Sequence, residues 1–257
     1  MRSKLPWLVS LLASVSAYAD RPAAAAPEAP PIESRGWAFS FSPYFWAAGL
    51  SGDFAQFDLP AVELDQSFGD ILSDLDFSTM MIAEARYDRF SLFADIQYTK
   101  VSSGAATPHG IVVDNVGLRS ETFSGLFGVG YAVAQDENAT VDLVGGLRVW
   151  RASTEIAFNG GMLDGVDASD RATWVDGLVG VRARFGLADN VYLSGWGLVG
   201  AGQAKRDWDL AAIVGYRIND SLSAVAGYRA LGVDYSKNGF VFDAVQQGPI
   251  LGLVVDF

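Results

Sequence analysis

The sequence predicts an all-β chain: an antiparallel transmembrane up-and-down β-barrel of about ten strands, with eight or twelve if one strand has been split or fused. Three observations carry this reading. Apolar residues recur with period two over long stretches, no uninterrupted apolar run of about 18 residues follows the N-terminal segment, and charge inside the stretches keeps to one face. Composition agrees, since half of the 257 residues are hydrophobic, 12% are aromatic and 28 are glycine.

The first twenty residues are set apart. Arg2 and Lys4 make a basic start, Leu5 to Ser16 is mostly apolar, and Ala17-Tyr18-Ala19 has the small-x-small form of a cleavage site before Asp20. Residues 1–19 therefore read as an export signal peptide. Its removal leaves 16 bases against 30 acids, taking the formal charge from −12 to −14. Residues 20–35, DRPAAAAPEAPPIESR, hold four of the nine prolines and read as an extended periplasmic linker, which leaves 36–257 for the barrel.

Strands are expected near 37–49, 76–88, 90–102, 118–133, 140–155, 172–186, 191–203, 208–218, 221–233 and 243–257. Phe90, Leu92, Ala94, Ile96 and Tyr98 alternate with Ser91, Phe93, Asp95, Gln97 and Thr99, and 209–218 and 221–230 repeat the pattern. One face is apolar throughout and the other mixes small, polar and charged residues, as when one side meets lipid and the other a lumen. The seventh strand is the least regular, because Gly195, Gly197 and Gly200 blur its alternation. Short turns at 88–89, 135–138, 188–190 and 219–220 exchange with longer connections at 50–75, 103–117, 156–171 and 234–242. Tight periplasmic turns and longer outer loops produce this asymmetry. An even strand number puts both ends on the periplasmic side.

Outward aromatics pair along single strands: Phe77 with Tyr87, Phe90 with Tyr98, Phe123 with Tyr131, Trp208 with Tyr216. At about 3.3 Å per residue and a tilt of about 40°, eight residues rise roughly 20 Å, close to the apolar band's height of about 25 Å. They fit two interfacial girdles.

The inward class holds Glu84, Arg86, Asp95, Asp142, Arg148, Asp176, Arg182, Arg184, Asp209, Arg217, Arg229 and Asp256, six acids and six bases. An Arg facing lipid at the midplane costs about 2–4 kcal/mol, which explains the segregation. The exceptions, Arg119, Glu121, Arg151 and Glu155, fall at strand ends beyond the outer leaflet. Four arginines follow a glycine by two: Gly146 with Arg148, Gly180 with Arg182, Gly215 with Arg217, Gly227 with Arg229. Residues two apart share a face, so each glycine is expected to leave room for a guanidinium along the inner wall. Glu84, Arg86, Asp95, Asp142, Arg148, Asp176, Arg182, Arg184, Arg217 and Arg229 are thus candidates for a lumenal charge network that closes the barrel or lines a narrow path.

The four G-x-R strands, DLVGGLRVW, WVDGLVGVR, AGYRALGVDYSKNGFVFD with QGPILGLVVDF, and the opening PYFWAAGLSG resemble the small outer-membrane β-barrel proteins of Gram-negative bacteria, the OmpA-like and OmpW-like barrels. The resemblance spans nearly the whole chain after the export signal, and it implies a location in the outer membrane, contact with its lipids and lipopolysaccharide, and a monomer. The group includes structural anchors, narrow pores and surface antigens. The alternating end Leu251, Leu253, Val255, Phe257 is similar to the C-terminal signal read by the barrel-assembly machinery, which implies that role for Leu253, Val255 and Phe257.

The connection at 50–75 carries its own pattern. No base lies between Arg35 and Arg86, while Asp53, Asp58, Glu63, Asp65, Asp70, Asp74, Asp76 and Glu84 accumulate. In FGDILSDL, Phe68, Ile71, Leu72 and Leu75 share one face of a short helix. The expectation is a loop folded toward the mouth, with Asp65, Asp70 and Asp74 meeting basic residues and constricting it.

Several function classes are excluded or disfavoured. Absence of cysteine removes disulfides and Cys-ligated metals, and no carboxylate spacing matches a calcium loop, so neither cofactor nor metal is expected. Scattered bases in an acidic chain argue against nucleic acid. The single histidine, His109, sits in TPHG within an expected loop, with Ser102, Ser103 and Asp114 nearby in sequence only. No catalytic geometry follows, so the chain is read as not an enzyme. The expected function is structural or porin-like, with a surface adhesin or antigen as the alternative.

Overall fold

The computed structural model describes residues 36–106, 115–160 and 165–257. Residues 1–35, read from sequence as export signal and linker, and His109 and Asp114 lie outside them. Among the described residues, twelve strands and one short helix follow in chain order: β1 (Trp37–Trp46), β2 (Gly49–Ala55), β3 (Val62–Gln66), α1 (Phe68–Ser73), β4 (Leu75–Tyr87), β5 (Phe90–Ala106) and β6 (Asn115–Gln135). Then come β7 (Ala139–Asn159), β8 (Val166–Ala188), β9 (Val191–Gly202), β10 (Arg206–Asn219), β11 (Leu222–Lys237) and β12 (Phe240–Asp256). All pairings are antiparallel between neighbours, and β12 returns to β1 (Phe41 opposite Val255, Trp46 opposite Ile250), closing ten strands into a barrel. Closure pairs the backbone N–H and C=O groups of the spanning strands, which lipid cannot do, so the described residues can cross a membrane without a long apolar helix.

The ten expected strands are the ten of the barrel. The outer ends of most run further than alternation indicated, most of all in β8, which begins at Val166. Above the membrane both faces meet water, so the hydrophobic period fades while the hydrogen-bonded ladder continues. The seventh expected strand is present as β9, paired with β10 from Val191 opposite Tyr216 to Gly200 opposite Asp207. Its Gly200 is needed for close approach: a Cβ there would stand 2.0 Å from the Gly177 carbonyl oxygen.

Burial is inverted relative to a soluble fold. Leu147, Val179 and Val199 are about 60% exposed, at 58%, 63% and 61%, whereas Arg148, Asp176, Asp209 and Arg229 have no exposure at all. Apolar side chains face outward to the hydrocarbon and charges face inward, as parity predicts.

The connection at 50–75 departs from expectation. It holds two strands as well as the expected helix. After Trp46 the chain keeps to the edge of β12 and continues as β2 (Gly49 opposite Gln247 through Ala55 opposite Val241), and β3 pairs back onto β2. On its other side β1 pairs with β4 only from Trp37 opposite Tyr87 to Pro43 opposite Met81. Pro43 has no N–H to carry the ladder on. Above it, β4 from Leu75 to Met80 has no strand on its β1 side, and α1 bridges the seam between β3 and β4.

Candidate functional site

From the periplasmic end upward, the lumen is built in layers by residues two apart on each strand. The lowest layer is a charged vestibule. Arg86, from β4, bonds Glu84 on its own strand and Asp142 on β7, and Arg182 from β8 reaches Glu84 at 2.8 Å. Arg182 also lies 4.7 Å from the Phe93 ring, and the Arg184 guanidinium stacks 3.7 Å over Tyr192. These side chains border a cavity of about 450 Å³.

Above it the lumen is filled. Arg229 donates to both oxygens of Asp209 (3.1 and 2.6 Å), to Asp95 (2.6 Å) and to the Tyr44 hydroxyl (2.8 Å), while Tyr44 donates to Asp95 at 2.7 Å. Arg148 donates to Asp207 at 2.6 Å and to Asp209. The indole N–H of Trp150 donates to Asp207 (2.9 Å) and that of Trp196 to Asp209 (2.8 Å). Asp209 therefore receives four donors from three strands. The indoles of Trp46 and Trp196 each lie 5.2 Å from the Arg229 guanidinium. A carboxylate in a space closed to water is tolerable only when its lone pairs are met this way.

A stacked aromatic layer covers the cluster. Trp150 and Trp174 stack at 5.8 Å, Trp174 and Tyr235 at 4.2 Å and 8° between planes, and Phe242 packs against both tryptophans. At the mouth, the turn after β2 crosses to the opposite wall. The Phe57 N–H donates to Asp170 of β8 at 2.7 Å, and a Cβ on Gly239, in the β11–β12 turn, would stand 2.3 Å from an Asp58 carboxylate oxygen.

The ten sequence-derived network residues divide as follows. Asp95, Arg148 and Arg229 meet in the central cluster, and Glu84, Arg86, Asp142 and Arg182 in the vestibule. Asp176 accepts from the Ala204 N–H on its own, more outward level. Arg184 rests on the Tyr192 ring, and Arg217 is at the periplasmic rim, donating to the Asp189 carbonyl. The expected role of the glycines needs correction. At Gly215 the space is taken by the Tyr192 ring, whose atoms would lie 2.1 Å from an added Cβ, and at Gly146, Gly180 and Gly227 by the backbone of the neighbouring strand. Close strand approach requires three of them and the Tyr192 ring requires Gly215, so none is there to make room for a guanidinium.

The acidic loop is also corrected. Among the described residues Asp65, Asp70 and Asp74 meet no base. Asp70 closes a capping box with Ser67 at the start of α1, and the Ser67 hydroxyl and N–H hold its carboxyl below the ordinary aspartate range. Asp74 caps the end of α1, its N–H donating to Ile71, and Asp65 is exposed on β3. Among the described residues, the contact that crosses the mouth from this loop is the Phe57 N–H to the Asp170 carboxylate.

Asp207, Tyr44, Trp150 and Trp196 belong to the cluster and were not among the candidates. Asp207 shares parity with Asp209 and is found by starting β10 two residues earlier. The aromatic donors carry no sequence signal apart from inward parity. Of the residues considered for catalysis, Ser102 donates to Asp76. Among the described residues no group of three or more His, Asp or Glu side chains has a metal-holding arrangement.

No family model and no curated protein matches the chain. Solved structures do. The outer membrane protease OmpT from Escherichia coli is similar over 87% of this chain and 98% of its own, at 9% identity and a TM-score of 0.53. Ail, the attachment invasion locus protein of Yersinia pestis, covers 87% and 99% at 11% identity and a TM-score of 0.37. Neisserial surface protein A covers 86% and 99% at 16% identity and a TM-score of 0.33. The fold is that of the Gram-negative outer-membrane β-barrels.

Proposed function

We propose that this chain is a structural barrel of the outer membrane whose lumen is closed at rest, and that ions pass only when its central cluster is broken. The observation that carries this is the complete burial of Arg148, Arg229 and Asp209 across the middle of the lumen, with their polar groups largely spent on one another and on Tyr44, Asp95, Asp207, Trp150 and Trp196. A narrow passage needs a continuous wet path, and the central layer interrupts it. On this reading the chain is exported by residues 1–19, is inserted through the assembly machinery reading Leu253, Val255 and Phe257, works as a monomer among outer-membrane lipids and lipopolysaccharide, and performs no catalysis.

The test is conductance in planar bilayers. Refolded wild type is expected to show no steady single-channel steps, and a variant carrying Arg148→Ala and Arg229→Ala together to show them. Steady conductance in wild type, unchanged in that variant, overturns the reading.

A second reading, surface attachment, is favoured by the length of β6, β7 and β8, at 21, 21 and 23 residues. About 9–11 tilted residues cross a bilayer, so roughly half of each strand stands outside as a rigid wall. Loss of cell attachment to host or abiotic surfaces on deletion supports it, and unchanged attachment removes it.

A further inference from the structure

The seam between β3 and β4 holds a second cavity, of about 120 Å³, separated from the vestibule by the central cluster. Its wall has two characters. Toward the seam stand Phe45, Trp46, Phe68, Ile71, Leu75 and Met80; toward the lumen stand hydroxyl and amide side chains of β5 and β6, including Gln97, Thr99, Thr122 and Ser124. Ser124 is only 3% exposed, borders this cavity, and its hydroxyl has no partner. A buried hydroxyl left unpaired costs about 1–3 kcal/mol, so a group that bonds it is favoured there.

The cover over this cavity is slight. Helix α1 buries none of its residues, is held by its capping box, and leans on the wall through the edge-on contact of Phe68 with Phe45 at 5.6 Å. Phe45 is 46% exposed on the outer, apolar surface while its neighbour Trp46 is buried in the lumen at 3%. The cavity thus runs from the lipid-facing side of the wall to the lumen, exactly where β4 lacks a partner strand. Few buried contacts hold such a segment, and it opens at low cost.

We propose that this cavity is a binding site for a small neutral aromatic alcohol of phenol size, its ring among Trp46, Phe68 and Met80 and its hydroxyl bonded to Ser124, reached from the membrane side past α1. The volume limits the ligand to a single ring, since a closed apolar cavity of about 150 Å³ takes up benzene and this one of about 120 Å³ opens on its membrane side. The two-sided wall sets the chemistry. A wholly apolar molecule leaves Ser124 unpaired, and a charged one finds no counter-charge among the hydroxyls and amides. The proposal does not depend on whether the barrel conducts.

The experiment is a titration of the refolded full chain in detergent with 4-fluorophenol, followed by its fluorine NMR signal and by competition with unlabelled phenol. Saturable binding of one molecule, displaced by phenol, is expected. Ser124→Ala is expected to weaken it about tenfold, the loss of roughly one hydrogen bond, while leaving fluorobenzene binding unchanged. Thr122→Phe, which fills the cavity, is expected to abolish both. Heat-modifiable gel migration verifies that each variant is folded. A signal that rises linearly without saturation in wild type, showing detergent partition around a water-filled cavity, overturns the proposal, as does saturable binding that survives in folded Thr122→Phe.

Discussion

Replacing Arg229 by Met keeps the length of the side chain and removes its charge. In the folded barrel Asp95 then loses the base it pairs with, retaining Tyr44 and the longer Gln97 contact at 3.4 Å, while Asp209 keeps Arg148 and Trp196. Breaking a buried ion pair from one side costs about 3–5 kcal/mol, because the surviving charge stays out of water. With a urea dependence of about 2–3 kcal/mol per molar, the unfolding midpoint falls by about 1–2.5 M. The assay is urea titration of the refolded protein in lipid vesicles, followed by tryptophan fluorescence. The double variant Asp95→Asn with Arg229→Met removes the stranded charge as well and is expected to recover much of the loss. A midpoint shift under about 0.5 M for Arg229→Met, or a double variant no more stable than the single, refutes the claim that these charges are buried together.

Three other outcomes follow. Deleting the tip at residues 56–59, which crosses the mouth, is expected to leave bilayer conductance at the wild-type level, because the central cluster still blocks the lumen in series; the same deletion added to Arg148→Ala and Arg229→Ala is expected to raise it above that variant. The Ser67–Asp70 cap is expected to be intact above the ordinary aspartate value of about 4 and lost as pH falls through its lowered folded value, since a depressed folded pKa stabilises only while the carboxylate is charged. Amide exchange over residues 68–73 against pH checks the sign, and Asp70→Asn should remove the dependence. Removing Phe257, which is 77% exposed and joined to Phe39 only through backbone bonds, is expected to leave refolding in detergent intact and to lower the heat-modifiable fraction assembled in cells; equal losses in both assign it to stability instead.

Much of the barrel is legible in the chain because the physics that places its residues is local. Lipid on one side and a lumen on the other impose period two, and a single strand such as Phe90–Tyr98 already displays which side each residue takes. The β2–β3 hairpin was not legible for the same reason. It stands at the mouth, where both faces are wet, and its partner β12 lies some 190 residues along the chain, so no local period marks it. The helix in the same connection was legible, since Phe68, Ile71 and Leu72 carry a period of their own.

What the sequence by itself determined is the barrel class, a strand count near ten, and the inward and outward faces of the strands. Which of the inward charges meet was decided only by tertiary structure. Arg148 finds Asp207 across 59 residues and Arg229 finds Asp95 across 134, and those distances are closed by the register and shear of ten paired strands. Parity sorts residues to a side of the wall. Height within the barrel, which makes one arginine a vestibule residue, another a seal and Arg217 a rim contact, is a property of the closed sheet.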